Sequence, residues 1–594
     1  MVKKDSFGRN YLKGKNVFGE GITGFSTRSR QIPKVQRPRW LLLLVCLFVF
    51  SLFGLARLFD LQIVRGSYFR SLSDGNRVRR IPIRAPRGEI LDRNGQALAR
   101  NVPVYKLAEF SSGGVVTRTE VVSREEAIKI QSSDFVRQSR LIIDIAREYP
   151  LNEAAAHLVG YVGEASPEEI ASMPNDKCPP LGLGDLVGRG GIEQQYDCLL
   201  RGVDGEELVE VDTQGRLIRR LGRREAIPGE SLSLYADATL QKVAYDALQD
   251  APNLTKSIGG TNWEGGGVRG AIVAQEVETG GILAFVSYPS FNPSTLGEEY
   301  SRLSADKNLP LFNRVIGGAY HPGSTFKVVS TVAGFEDGKI DRLFQYEDTG
   351  RVTAGTFSYS NWYFTQYGRT EGVIDVVKAI ARSTDTFFYK VGELVGAPRL
   401  AYWAEKFGYG RKTGIDLPGE VAGLIPNPEW KLATKGERWF LGNTYHMAIG
   451  QGDVAASPLQ VNQMTQVVAS GGVLCKPRVV KGDKGDCGDL GISKEALEVV
   501  QEGMKGACSA DGTAFPFFNF EPRVACKTGT AQTVGENTHA WFTVFGPVSS
   551  LQGQALQSGK QIVLTVLVEE AGEGSRVAAP VARRVLEEWF KGRK

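Results

Sequence analysis

The sequence predicts an α+β fold held to a membrane by a single amino-terminal transmembrane helix, and three observations predict it. Residues 40–56 (WLLLLVCLFVFSLFGLA) form an uncharged, mostly apolar run. Beyond them, strand-like runs stand at both ends of the carboxy-terminal two-thirds of the chain, with helical patterns between. That order points to an antiparallel sheet with helices packed on it. The 594 residues are 42% hydrophobic and 23% charged, which suits a chain with a buried core and not a disordered one.

The net charge of +5 is unevenly placed: residues 1–39 carry ten basic and two acidic side chains, so the rest is slightly acidic. A nucleic-acid-binding body would spread its basic excess over a groove or face, so that class and nucleic-acid partners are excluded. Four histidines and seven scattered cysteines argue against a metal-rich enzyme. The tail 1–39 is rich in Gly, Ser and charge, lacks an apolar period, and is expected to be disordered.

The run 40–56 is apolar all round, unlike a core helix with a polar stripe. At 1.5 Å per residue it just spans a bilayer core of about 30 Å, and a snorkelling Arg57 extends the span to residue 58. Gly54-Leu55-Ala56 resembles a signal-peptidase site, but the 39-residue tail exceeds an ordinary n-region, which favours an uncleaved anchor. Five Lys/Arg in the twenty residues before the span, against three in the twenty after Ala56, place the amino terminus in the cytoplasm. Nearly everything from residue 57 on then lies outside the cytoplasm, on the outer face of the inner membrane.

Within the exported part, Asp92-Arg93-Asn94-Gly95 is a turn between apolar runs and predicts a hairpin. Residues 124–130 and 141–147 show weak helical patterns, 182–191 are glycine-rich, and 192–201 (IEQQYDCLLR) read as a short amphipathic helix. Pro228-Gly229 marks the main boundary. Residues 239–248 read as helix. Runs 271–277 and 282–288, joined by Glu278-Thr279-Gly280-Gly281, read as a second hairpin. Residues 523–526, 540–545 and 561–568 read as three further strands, and 576–591 as a closing amphipathic helix. Six cysteines lie beyond the membrane (178, 198, 475, 487, 508, 526). Export permits disulfides, yet fifteen connectivities are open and small buried hydrophobes are an equal reading.

Three short motifs carry the chemistry: Ser324-Thr325-Phe326-Lys327, Ser383-Thr384-Asp385 and Lys527-Thr528-Gly529-Thr530. Each alone is cheap. Ser304 to Lys307 repeats the first in a polar loop, and Lys412-Thr413-Gly414 repeats the third in a Gly/Pro loop. Ser324 differs from its decoy in context: it precedes an apolar helix pattern, so Lys327 falls one turn on, on the same face. A serine hydroxyl needs such a base, and a lysine serves as one only if its pKa is lowered. Lys527 follows an apolar strand answered by another, where a cation and hydroxyls could hold a carboxylate. The bland readings are a helix N-cap for Ser324 and an exposed strand end for Lys527.

In this order, with spacings of 59 and 144 residues, the three motifs resemble those of the class B penicillin-binding proteins, in particular the elongation-type penicillin-binding protein 2 group. The likeness runs over residues 40–594 and includes Ala85-Pro86-Arg87-Gly88, Gly191-Ile192-Glu193 with Tyr196, 448–460 (AIGQGDVAASPLQ) and His539-Ala540-Trp541-Phe542. It implies a transmembrane helix (40–58), an extended β-rich pedestal of the dimerisation type (59–228), and a transpeptidase domain (229–594) with a central antiparallel sheet flanked by helices. It implies peptidoglycan D,D-transpeptidation: Ser324 as nucleophile, Lys327 as base, Ser383 relaying a proton beside Asp385 and Lys527, and Lys527, Thr528, Gly529 and Thr530 lining the donor carboxylate site. The N–H groups of Ser324 and Thr530 would form the oxyanion hole. No cofactor and no metal is implied. The implied partners are donor and acceptor stem peptides, β-lactams, the membrane and a separate membrane glycosyltransferase.

Three departures stand out. Asp385 replaces the usual Asn, and a carboxylate beside Lys327 raises the pKa of that lysine. Only about 45 residues separate Tyr105 from the end of Arg147-Glu148-Tyr149-Pro150, so the head of the pedestal is short. Residues 325–445 contain no His or Cys, the ligands with which some elongation-type relatives hold zinc. The rival readings are a β-lactamase or β-lactam sensor, for which no deacylating base is identifiable, and a non-catalytic cell-wall scaffold.

Overall fold

The computed structural model describes residues 39–70, 78–110, 116–133, 141–172, 178–182, 184–211, 217–259, 267–482, 486–533, 535, 537–548 and 561–591. The tail expected to be disordered lies, except for Arg39, outside the described residues. The chain divides into two units, one ending at Val78 and the other beginning at Arg79.

The first unit is α1 (Arg39–Phe59), continued by a π-helical turn, Asp60–Val64. Among the described residues, 40–64 is the one helix long and apolar enough to cross a membrane. It continues past Arg57, whose guanidinium pairs with Asp60 at 2.7 Å, so the charge is met within one turn.

Early in the second unit comes the predicted hairpin. Asp92 Oδ1 accepts from the N–H groups of Asn94 and Gln96 at 2.8 and 2.7 Å, and Gly95 takes φ +87°, a conformation that side chains disfavour. The turn joins Ile90–Leu91 to the long strand β1 (Ala97–Phe110). Residues 124–130 lie in the helix Arg124–Ser133. The neighbouring pattern at 141–147 is not helical: it is β2 (Leu141–Glu148), antiparallel to β1. Its β-branched isoleucines suit a pleated backbone, and β1 offers a full-length partner, so pairing overrides a weak helical period.

Residues 192–201 form two short turns of helix, Gly191–Gln195 and Asp197–Leu200, broken at Tyr196. Buried ion pairs hold both turns. Glu193 accepts from Arg87 at 2.5 Å and Arg147 at 2.8 Å, and Asp197 pairs with Arg87 and Arg201. Tyr196 donates to Asp416 Oδ2 at 2.9 Å.

The carboxy-terminal part follows the predicted order. In sequence come α2 (Ala238–Gln249), β3 (Gly270–Glu276), β4 (Ile282–Tyr288), α3 (Lys327–Glu336), α4 (Asp385–Val395), α5 (Pro458–Ala469), β5 (Ala525–Ala531), β6 (His539–Gly546), β7 (Ile562–Val568) and α6 (Ala578–Phe590). The strands form one antiparallel sheet in the order β4-β3-β7-β6-β5. Alternate residues serve two cores. Val273, Trp541 and Leu567 pack in the core that holds residues of α3, α4 and α5. Ile272, Phe542 and Val566 pack in the one that holds residues of α2 and α6. A sheet covered on both faces accounts for strands that read as continuous apolar runs. The six cysteines pair as Cys178–Cys198, Cys475–Cys487 and Cys508–Cys526.

Candidate active site

Ser324 lies in a 3-10 turn, Gly323–Phe326, and α3 proper starts at Lys327. No side-chain capping bond is made at this turn, so the N-cap reading of Ser324 falls. The turn is clamped between two backbones. A Cβ on Gly323 (φ +54°) would lie 2.9 Å from Thr530 O, and one on Gly450 would lie 2.4 Å from Gly323 O. Gly323 N–H donates to Gly450 O at 2.9 Å. Two glycines therefore let β5 and the 448–460 segment close on the serine.

The Lys527-Thr528-Gly529 motif lies within a strand and not after one. β5 runs from Ala525 to Ala531 at the edge of the sheet, with Lys527 opposite Thr543 and Gly529 opposite Trp541. An edge strand keeps one row of backbone donors and acceptors free for a ligand. A side chain on Gly529 would come within 3.0 Å of Trp541 Cβ and 3.1 Å of Thr325 Cγ2, so its absence keeps β5 against the Ser324 turn.

Ser383 is the hinge of the site. It ends the helix Val376–Arg382 with φ +57°, a left-handed conformation uncommon for a residue with a side chain. Such strain is a mark of functional positions. Its hydroxyl is thereby held between two lysines. Lys327 Nζ reaches Ser383 Oγ at 3.2 Å and Ser383 O at 2.7 Å. Lys527 Nζ donates to Ser383 Oγ at 2.8 Å and to Thr528 O at 2.9 Å. Both lysines are 0% exposed. In front of them, Ser324, Ser383, Asp385, Thr528, Gly529 and Thr530 line one cleft of about 620 Å³.

Burial sets the electrostatics. It holds the Lys327 pKa below the ordinary lysine value, even though Asp385 Oδ1, 2.6 Å from Nζ, raises it. Lys527 is pushed further down, by burial first and then by the charge of Lys327. Ser324 Oγ is not among the described hydrogen-bond partners of Lys327, which at rest faces Ser383 and Asp385. Catalytic contacts of this kind commonly tighten only when substrate is bound.

The environment of Asp385 accounts for its departure from Asn. Its Oδ1 takes Lys327 and its Oδ2 accepts from Trp362 N–H at 2.9 Å. Both neighbours are donors, which a carboxylate satisfies and an amide NH2 would oppose. Behind it stand residues that the motifs did not announce. Asn361 Oδ1 accepts from Asp385 N–H at 3.1 Å, and Asn361 Nδ2 donates to Asp348 at 2.9 Å. Asp348, 1% exposed, also accepts from Gly350 N, Thr386 Oγ1 and Glu371 N. In sequence, Asp348-Thr349-Gly350 is indistinguishable from an ordinary turn.

Both decoys lie elsewhere. Ser304 closes the helix Leu296–Ser304 and donates to Ser301 O. Thr413 and Gly414 are held in a loop by Glu420. Among the described residues, no group of three or more His, Cys, Asp or Glu could hold a metal ion.

The penicillin binding protein transpeptidase domain model matches residues 270–587, and the penicillin-binding protein dimerisation domain model matches 114–234. The peptidoglycan D,D-transpeptidase MrdA of Acinetobacter baumannii is 30% identical, over 93% of this chain and 87% of its own length. A solved structure described as "Structural coordination of polymerization and crosslinking by a peptidoglycan synthase complex" superposes with a TM-score of 0.75 at 30% identity, covering 93% of this chain and 98% of that one. The Helicobacter pylori PBP2 in its complex with MreC gives a TM-score of 0.72 at 26% identity, covering 87% and 99%. With its site assembled on the matched domain and its likeness running almost end to end, the chain belongs to the penicillin-binding proteins, in their class B, elongation-type group.

Proposed function

We propose that the protein is a peptidoglycan D,D-transpeptidase of cell-wall elongation that works through an acyl-enzyme on Ser324 and is inhibited by β-lactams. The observation that carries the reading is the convergence of Lys327 and Lys527, both buried, on Ser383 Oγ behind a cleft that contains Ser324.

The donor stem peptide lies along β5, its terminal carboxylate taken by Lys527, Thr528 and Thr530. Neutral Lys327 removes the Ser324 proton as Oγ attacks the carbonyl between the two D-alanines. The N–H groups of Ser324 and Thr530, on backbones that meet at Gly323, stabilise the oxyanion. Ser383 passes a proton to the departing D-alanine amine, and an amine of a neighbouring stem peptide then resolves the ester. Asp385 holds Lys327 toward Ser383 between turnovers.

In this reading α1 is an inner-membrane anchor with a cytoplasmic amino terminus, residues 59–228 form a pedestal, and residues 229–594 work on the outer face. A membrane glycosyltransferase supplies the glycan strands; the relative in a peptidoglycan synthase complex supports such a partner, and the H. pylori protein seen with MreC supports a place in the elongation machinery.

Intact-mass spectrometry after penicillin treatment tests the assignment. One persistent penicilloyl adduct is expected on the wild-type chain and none on Ser324→Ala. An adduct on the alanine variant would overturn it, and rapid turnover of penicillin would point to a β-lactamase.

A further inference from the structure

A second groove opens beside the catalytic cleft. It measures about 1100 Å³ and shares Ser358, Tyr359 and His446 with the cleft. Tyr359 stands at the junction, edge-to-face with the His446 ring at 5.5 Å. Its hydroxyl lies over Gly442, where a Cβ would come within 1.9 Å of it. Two large rings on the groove are left uncovered: Phe357 is 69% exposed and Phe440 67%. Two of its charged side chains are already committed, Glu437 pairing with Lys431 at 3.2 Å. Arg438 is exposed, and no described carboxylate pairs with it.

We infer that this groove holds the acceptor stem peptide, with Arg438 binding one of the acceptor's carboxylates. The inference rests on the transpeptidase reading. That reaction has two peptide substrates, and the first occupies the edge of β5. The second must bring an amine to the Ser324 ester from a side that the donor leaves free, and this groove adjoins the Ser324 cleft, with Ser358, Tyr359 and His446 lining both. Donor and acceptor are chemically alike, so the acceptor also carries carboxylates, and an unpaired guanidinium is the matching group. The exposed rings suit the aliphatic stem of an amine-bearing side chain. Burial holds His446, at the junction, below its ordinary pKa, so the imidazole is neutral and does not repel an arriving ammonium. In the transfer step the ammonium first gives one proton to neutral Lys327; a C–N bond then forms to the acyl carbon, the ester C–O bond breaks, and the second proton, shed by the amine, returns to Ser324 Oγ.

The test uses the full-length chain in detergent, an acyl-D-alanine thioester as donor, and a synthetic stem peptide with a free side-chain amine as acceptor. The readout is the ratio of aminolysis to hydrolysis, with fluorescent-penicillin acylation measured in parallel. Arg438→Glu is expected to lower the ratio about tenfold, the size of one charge-assisted contact. Arg438→Lys should retain most of it, Phe440→Ser should lower it less, and acylation should change by less than about twofold. An acceptor with its carboxylates amidated should make wild type behave like Arg438→Glu. An unchanged ratio in Arg438→Glu, or acylation falling as far as transfer, would overturn the inference. Failure of penicillin to acylate the wild-type chain would overturn the transpeptidase reading, and the inference with it.

Discussion

Two regions each bury one cation more than they have anions, and they use the charge differently. Beneath the Asp92 hairpin, three arginines (87, 147, 201) share two carboxylates, Glu193 and Asp197. In the cleft, two lysines (327, 527) share one carboxylate, Asp385. Each cluster keeps one cation more than it has anions. A guanidinium cannot shed its proton, so the arginine cluster stays charged and its excess is met by carbonyls such as Glu193 O and Gly88 O. A lysine can, and burial presses both of these lysines to do so. The first cluster is a fastening; the second, in the proposed mechanism, is a proton store beside Ser324.

The largest effect that would break this contrast comes from Ser324→Ala and Lys327→Ala. Both should abolish penicillin labelling; thermal unfolding should stay close to wild type in Ser324→Ala and fall in Lys327→Ala, which leaves buried Asp385 without its partner, and labelling retained by Lys327→Ala would mean that Lys527 serves as the base. Glu193→Ala strips Arg87 and Arg147 of their shared partner and should cost about 3–5 kcal/mol of stability. The fraction still folded should be acylated at the wild-type rate, and a slower rate in that fraction would show that the two clusters are coupled. Replacing Cys508 and Cys526 together by serine should cost about 3 kcal/mol, the expectation for a closed loop of this size (sequence separation 18), read as a lower unfolding midpoint.

Asp385→Asn sharpens the comparison through pH. Lys327 acts as a base when unprotonated, so acylation rises with pH through its pKa. Asp385 raises that pKa, so removing the carboxylate should move the rise toward lower pH. A pH–rate profile of acylation checks the direction, and a shift the other way would mean that Lys327 is not the titrating group. Ser304→Ala and Lys412→Ala should change labelling by less than about twofold and stability by less than about 0.5 kcal/mol, as surface substitutions do.

What was legible follows from how far each signal reaches along the chain. Four strands of the central sheet were readable because both faces are buried, which forces long apolar runs; the fifth, β5, was read only as far as Cys526 because its motif residues are polar. The true motifs stood apart from their decoys because Ser324 and Lys527 adjoin such runs, whereas Ser304 and Lys412 do not. The reading failed where a partner decided the outcome. Residues 141–148 became a strand because β1 lies beside them, and residues 192–201 broke at Tyr196, where Glu193 and Asp197 both turn to Arg87, more than a hundred residues away in sequence. The pairing of six cysteines, Asp348 behind Asn361, and the groove at Arg438 left no local trace.

By itself, the sequence determined the apolar anchor, the α+β class, the three motifs and the family they mark, since each depends on residues close together or on a pattern repeated within one element. Only the tertiary structure decided which groups share a proton. Ser383 and Lys527 are 144 residues apart, and their contact at 2.8 Å exists only because a left-handed turn and an edge strand meet at the floor of a cleft, with both lysines fully buried. That desolvation, which no stretch of sequence encodes alone, is what lowers the lysine pKa values and makes the serine motif a reactive site.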